Sequence, residues 1–224
     1  MLSVNHLIGF GAGSSGVDAS VTYVNHYESS SALSAYTFSS CAIGTAATGR
    51  RVIVGIAASG GSAATASVTI GGNSATQAEY LDGTASGSVP SGIYILQVDA
   101  GTTADIVVTF SSSRTSCGIT VLAAYDLLSS TKTFSGSSQA NPPSVGSVSC
   151  NAGGIIVAQV AIYSGSTSTL TWTGLTERYD GAIISQIAQS VASDAFSSAQ
   201  SGLTITATPS QSPTNRSLSV ASFR

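Results

Sequence analysis

The sequence predicts an all-β protein: an antiparallel β-sandwich, jelly-roll or immunoglobulin-like, with an internal duplication of its strand set. Three observations carry this. Runs rich in Val, Ile, Thr and Tyr are closed by Gly, Asp-Gly, Asn or Pro every 8 to 15 residues or so. No helical period persists over about twelve residues. The second half also repeats the first in order. Arg51-Val-Ile-Val-Gly-Ile-Ala-Ala returns as Gly154-Ile-Ile-Val-Ala-Gln-Val-Ala, and Ser67-Val-Thr-Ile-Gly-Gly72 as Thr169-Leu-Thr-Trp-Thr-Gly174. Glu79-Tyr-Leu-Asp-Gly83 is echoed by Glu177-Arg-Tyr-Asp-Gly181, and Ala104-Asp-Ile-Val-Val-Thr-Phe110 by Gly202-Leu-Thr-Ile-Thr-Ala-Thr208.

Taken in order, these runs place strands near 20–25, 34–41, 51–58, 66–71, 75–81, 92–98, 104–110 and 117–126, and again near 145–150, 154–163, 168–173, 175–179, 183–192, 202–207 and 216–223. Residues 183–192 have helical propensity, but their repeat partner Gly92-Ile-Tyr-Ile-Leu-Gln-Val98 does not, so the repeat assigns them to a strand. The apolar residues Val52, Val54, Ile56, Val68 and Ile70, with their counterparts Ile155, Val157, Leu170 and Trp172, are expected in the core. The domain plan that follows is an N-terminal arm over 1–32, a first repeat over 33–128, a connecting segment over 129–144 and a second repeat over 145–224. Residues 33–224 read either as one continuous sandwich or as two tandem modules.

Composition narrows the function. The 224 residues are 42% hydrophobic but only 8% charged, against about 25% in an ordinary soluble domain, while Ser and Thr supply roughly three residues in ten. Solvent-facing polarity therefore comes from hydroxyls, which repel one another less than charges do and cost less entropy to immobilise against a neighbour than long charged side chains. Seven Lys and Arg, with none before Arg50, and a net charge of −3 give no footprint for nucleic acid. The apolar runs around Val52 and Ile155 fall far short of a membrane span, and the N-terminus has no basic region of a secretion signal. Cys41, Cys117 and Cys150 follow no metal spacing and read as reduced, packed residues, with a Cys41–Cys117 bridge as the alternative.

Chemistry-bearing motifs are few. Gly11-Ala-Gly-Ser-Ser-Gly16 matches a dinucleotide fingerprint in letters, but a β-like stretch follows it where a helix should start. His6 and His26 both lie in the arm, and no G-x-S-x-G elbow is present, so no catalytic residue, cofactor or metal is assigned. The repeated acids Glu79, Asp82, Glu177 and Asp180 are the weak candidates for Ca²⁺ or sugar binding; the plainer reading of each is an Asp-Gly turn leaving a strand. Trp172, aligned with Ile70, reads as core, with a sugar-stacking platform as the alternative. In the arm, Leu7, Ile8, Phe10 and Val21 are apolar without the strand plan of the repeat, which suggests an assembly arm laid along a neighbour.

The run from Phe38 to Ala57, with Gly44-Thr-Ala-Ala-Thr-Gly-Arg50 inside it, then Ser67-Val-Thr-Ile-Gly-Gly72 and Thr103-Ala-Asp-Ile-Val-Val-Thr-Phe110, resembles virion structural β-sandwich proteins of tailed bacteriophages. The resemblance spans roughly residues 35 to 224, and its motifs belong to the scaffold rather than to an active site. It implies a non-enzymatic particle protein assembled in the host cytoplasm, foremost a head decoration protein packing on shell proteins or on copies of itself. A tail or fibre component, or a carbohydrate-binding adhesin module with a host glycan as partner, is the alternative.

Overall fold

The computed structural model describes residues 18–61, 64–82, 88–164 and 168–224, and these form strands, turns and loops without a helix. In the first half the strands are β1 (Ser20–Ser29), β2 (Leu33–Ala42), β3 (Arg51–Ser59), β4 (Ala66–Ile70), β5 (Asn73–Ser74), β6 (Thr76–Leu81), β7 (Ser91–Gln97), β8 (Thr103–Arg114) and β9 (Ser116–Tyr125). In the second they are β10 (Lys132–Ser138), β11 (Ser144–Cys150), β12 (Gly154–Tyr163), β13 (Leu170–Thr173), β14 (Glu177–Ile184), β15 (Ile187–Phe196), β16 (Gln200–Pro209) and β17 (Asn215–Phe223).

The first half builds an inner sheet of order β1-β9-β3-β7-β6 and an outer sheet of order β2-β8-β4-β5. The chain winds back and forth between the two sheets, with its fifth strand divided: Asn73–Ser74 stays on β4 while Thr76–Leu81 crosses to β7. The second half repeats it, with β10-β17-β12-β15-β14 as the inner sheet and β11-β16-β13 as the outer. Even a local irregularity recurs. Ser40 in β2 and Ser147 in β11 both have positive φ, 53° and 57°, each where the strand bulges against its neighbour. Sequence motifs account for two of the turns. Gly71 and Gly72 take successive positive φ values, as a tight two-residue hairpin turn demands. Buried Arg50 donates to the carbonyl of Gly44 (2.8 Å), so the two ends of Gly44-Thr-Ala-Ala-Thr-Gly-Arg50 close on each other. The same guanidinium also holds Val98 O (2.8 Å) and Ala100 O (3.0 Å).

Each half has its own core between its two sheets. Val52, Val54 and Ile56 of β3 meet Tyr36, Phe38, Val68, Ile106 and Val108, and Ile156, Ala158 and Val160 of β12 meet Val145, Val148, Leu170 and Ile205. The alternate residues of β3 and β12 face the other way, into a third core where the two inner sheets lie back to back. Ile53, Ile93, Ile95 and Leu122 pack there on Ile155, Val157, Val191, Ala221 and Phe223. The layers therefore run outer, inner, inner, outer. β3 lies against β12, β1 against β14 and β15, and β6 against β10 and β17, an arrangement with the symmetry of a two-fold axis through the β3–β12 crossing. The seam is partly polar: Thr120 Oγ1 donates to Gln159 Oε1 (2.8 Å), Ser91 and Ser219 hydroxyls lie 2.9 Å apart, and Ser217 bonds Val89 O.

Several expectations need correction. Residues 20–29 are not part of an arm but an edge strand paired with β9, and Val21 is buried in the seam core. Leu7, Ile8 and Phe10, like the glycine-rich 11–16 stretch, lie outside the described residues. The segment 129–144 is not a connector: Lys132–Ser138 form β10, which pairs with β17 and opens the second half as β1 opens the first. Residues 183–192 are not one strand either, since β14 turns at Ser185–Gln186 into β15. Finally, Ile155 and Val157 are buried, but in the seam rather than opposite the outer sheet. The true counterpart of Val52 is Ile156, one residue on. The three cysteines are free and buried, and burial raises the Cys41 and Cys150 thiols to about 11.

Candidate functional site

The repeated acids do not form equivalent sites. Glu79 pairs with Ile93, which pairs in turn with Gly55; the same places in the second half are held by Tyr179, Val191 and Gln159. Glu79 thus matches Tyr179 in register, not Glu177, and a bulge precedes each of them. Asp82 is committed to the scaffold. It accepts from the Ala64 amide and the Ser88 hydroxyl and pairs with the fully buried Arg114 at 3.3 Å. Arg114 also donates to Gly60 O (2.6 Å) and sits 5.3 Å over the Phe110 ring. The cluster ties together the loops at one end of the first sandwich. Among the described residues no three His, Cys, Asp or Glu side chains gather as a metal ion would need.

In the second half Asp180 accepts from the Leu170 amide (2.9 Å), while its other oxygen is buried with no partner among the described residues. Burial raises the Asp180 carboxyl above the usual aspartate range, and the Leu170 amide opposes this only in part. Glu177 beside it is raised by burial and by the Asp180 charge. A carboxyl raised in the folded state stabilises fully below its unfolded pKa, and that contribution is lost as pH rises through the folded value. Asp180→Asn keeps an acceptor for Leu170 and removes the charge. It is expected to raise the urea midpoint at neutral pH and to leave it nearly unchanged at about pH 3, where the carboxyl is protonated in both states. An unchanged midpoint at neutral pH would show that solvent reaches the carboxylate.

Among the described residues, an aromatic cluster near the surface lies at the edge of the seam. A bulge after Tyr23 puts Tyr23 and His26 on the same face of β1, although three residues separate them. There Tyr179 of β14 stacks on both, at 4.2 Å from the His26 ring and 5.8 Å from Tyr23, and Tyr23 Oη lies 3.2 Å from His26 Nδ1. Burial raises the Tyr179 hydroxyl to about 12, with the Glu28 charge adding to it. The rings are half-buried and their stacked faces are turned on each other, so they close the seam rather than offer a platform.

Trp172 is half-buried on the edge strand β13; it packs on the second core, and its Nε1 donates to Ser190 Oγ (2.7 Å). Trp172→Ala is expected to cost about 2 kcal/mol in a urea titration, below the range for a fully buried aromatic because part of the ring is already wet. A change under about 0.5 kcal/mol, the surface-substitution range, would mark the ring as an external platform.

The outward faces of the two outer sheets are chemically uniform. In the second half Thr171, Thr173, Thr204 and Thr208 stand exposed with Thr206 between them; in the first, Thr37 and Thr109 flank half-buried Val107, with Asp105 as the charge in that row. The alternation that buries Ile205 and Ala207 turns these hydroxyls outward. Compared with known proteins, the chain matches no protein-family model and no curated protein sequence.

Proposed function

We propose that this chain is a non-enzymatic structural subunit of a bacteriophage particle, a head decoration protein that works through packing contacts with shell proteins or with copies of itself. The observation that carries the reading is the slab: two β-sandwiches locked back to back by a buried seam, presenting hydroxyl-covered, charge-poor sheets on opposite sides. Faces without Lys or Glu incur little desolvation cost when covered, and the cores of protein interfaces are depleted in charge for the same reason. Support also comes from where the ionisable groups go. Arg50, Arg114 and Asp82 are committed to loop carbonyls, amides and one another, which is a use of charge for rigidity. A β-sandwich alone assigns no role, so the phage context rests on the resemblance of the Gly44–Arg50 and Ser67–Gly72 motifs. The test is electron microscopy of particles labelled with antibody to this protein. Label over the heads is expected; label on tails would make it a tail or fibre component, and unlabelled particles would overturn the reading.

A further inference from the structure

β1 is the edge strand of the first inner sheet, and beside it runs a groove of roughly 430 Å³ lined by Thr22, Val24, Gly44, Thr45, Ala123 and Tyr125. Val24 and Ala123 give it apolar surface among the hydroxyl-bearing Thr22, Tyr23 and Tyr125. The Gly44 loop lies so close to β9 that a Cβ on Gly44 would sit 2.7 Å from that of Ala123, and Tyr125 Oη fixes the loop by donating to Thr45 O (3.1 Å). The volume falls in the range of about 300 to 1,000 Å³ typical of occupied small-ligand sites. Residues 1–17 meet the described chain at its lip, because Ser20 pairs with Tyr125. In the second half the corresponding edge strand, β10, is preceded instead by the covalent link from β9, where Ser129 donates to Arg224 O (2.7 Å). Among the described residues, the first half thus has an open groove beside the point where residues 1–17 join it.

We propose that this groove receives the Leu7-Ile8-Gly9-Phe10 segment of a second copy of the chain, added as a strand along the free edge of β1. The inference rests on the reading of the protein as an assembling subunit. In an extended segment Ile8 and Phe10 share one face, so both enter the groove while the backbone bonds to β1. Seven residues, Gly11 to Val17, span at most about 25 Å when extended, enough to cross to a neighbour whose groove lies beside the first. Exit point and groove adjoin on each subunit, so a two-fold axis there lets the two arms exchange reciprocally and closes a dimer. The added strand also covers an edge otherwise open to unspecific pairing.

The test uses full-length protein and reads mass by sedimentation equilibrium. Wild type is expected to be a dimer at micromolar concentration. The Ile8→Asp/Phe10→Asp double variant, altered only on the arm, and Thr22→Arg, which fills the groove from an exposed position, should each be monomeric and still unfold cooperatively in urea, with a midpoint that, unlike that of wild type, does not change with protein concentration. A monomeric wild type, or a dimer that survives both changes, overturns the proposal. A monomeric wild type in which Ile8→Asp/Phe10→Asp speeds amide exchange along β1 would overturn it in favour of the chain's own arm filling the groove. Particle labelling is scored separately. Monomeric variants that still label heads leave the structural role standing, whereas a wild-type dimer that labels no particle sinks that role and keeps the exchange.

Discussion

Asp82→Ala is expected to lower the free energy of unfolding by about 3 to 5 kcal/mol, the usual result of removing one partner from a buried ion pair. The reason is what stays behind. Arg114 is fully buried, and its Nε already lacks a partner among the described residues. Without the carboxylate the guanidinium retains Gly60 O and the Phe110 face, and the Ala64 amide and Ser88 hydroxyl also lose their acceptor. Adding Arg114→Leu to Asp82→Ala should recover part of the loss, because the stranded charge goes with it. Urea titration of the single and double variants checks this. A single-variant loss below about 1 kcal/mol would mean that water reaches the guanidinium and the pair is worth no more than a surface one.

Gly55→Val is expected to cost about 3 kcal/mol, at the upper end for an overpacked core. A Cβ at Gly55 would stand 2.2 Å from Gln159 Oε1 and 2.5 Å from Thr120 Oγ1. Gln159 is fully buried, so pushing it aside breaks its bond from Thr120 and leaves an amide oxygen unpaired between the sheets. The damage falls on the seam rather than on either sandwich. Wild type should unfold in one calorimetric transition and the variant in two, as the halves uncouple. Shortening the obstacle with Gln159→Ala should restore a single transition; if the double variant still unfolds in two steps, the side-chain clash is not the cause.

Fold class was legible in the residues because strand period and turn chemistry act locally. The Val/Ile runs and the Gly71–Gly72 turn appear where the sequence places them. What escaped was register. β3 and β12 are buried on both faces, so neither shows the alternation that would tell Ile155 from Ile156, and a one-residue slip exchanges core for seam. Bulges at Ala78 and Arg178 hid the match of Glu79 with Tyr179 in the same way, since two Glu-x-x-Asp strings align better than the strands that carry them. β10 was missed because Gly136 and three serines make Lys132–Ser138 resemble a loop; it is a strand through pairing with β17, a contact far along the chain. The seam had one readable trace: Gln159, in an otherwise apolar run, is polar where a residue from another sheet bonds to it.

The seam also puts the two halves on a clock. Ile53, Ile93, Ile95 and Leu122 pack on residues of β12, β15 and β17. At roughly 5 to 20 residues per second, the ribosome finishes the first sandwich about 5 to 20 seconds before the last of that cover exists. Throughout that interval a folded sandwich sits tethered with an oily back exposed, at the moment when nascent chains on one messenger are crowded together. Gly55, Gly118 and Thr120 interrupt that back with notches and a hydroxyl shaped for Gln159 and Gln189, so a sister chain's identical face meets gaps where the cognate half supplies side chains. Synthesis on a single chain thus delivers the matching half before a mismatched neighbour can profit from the delay.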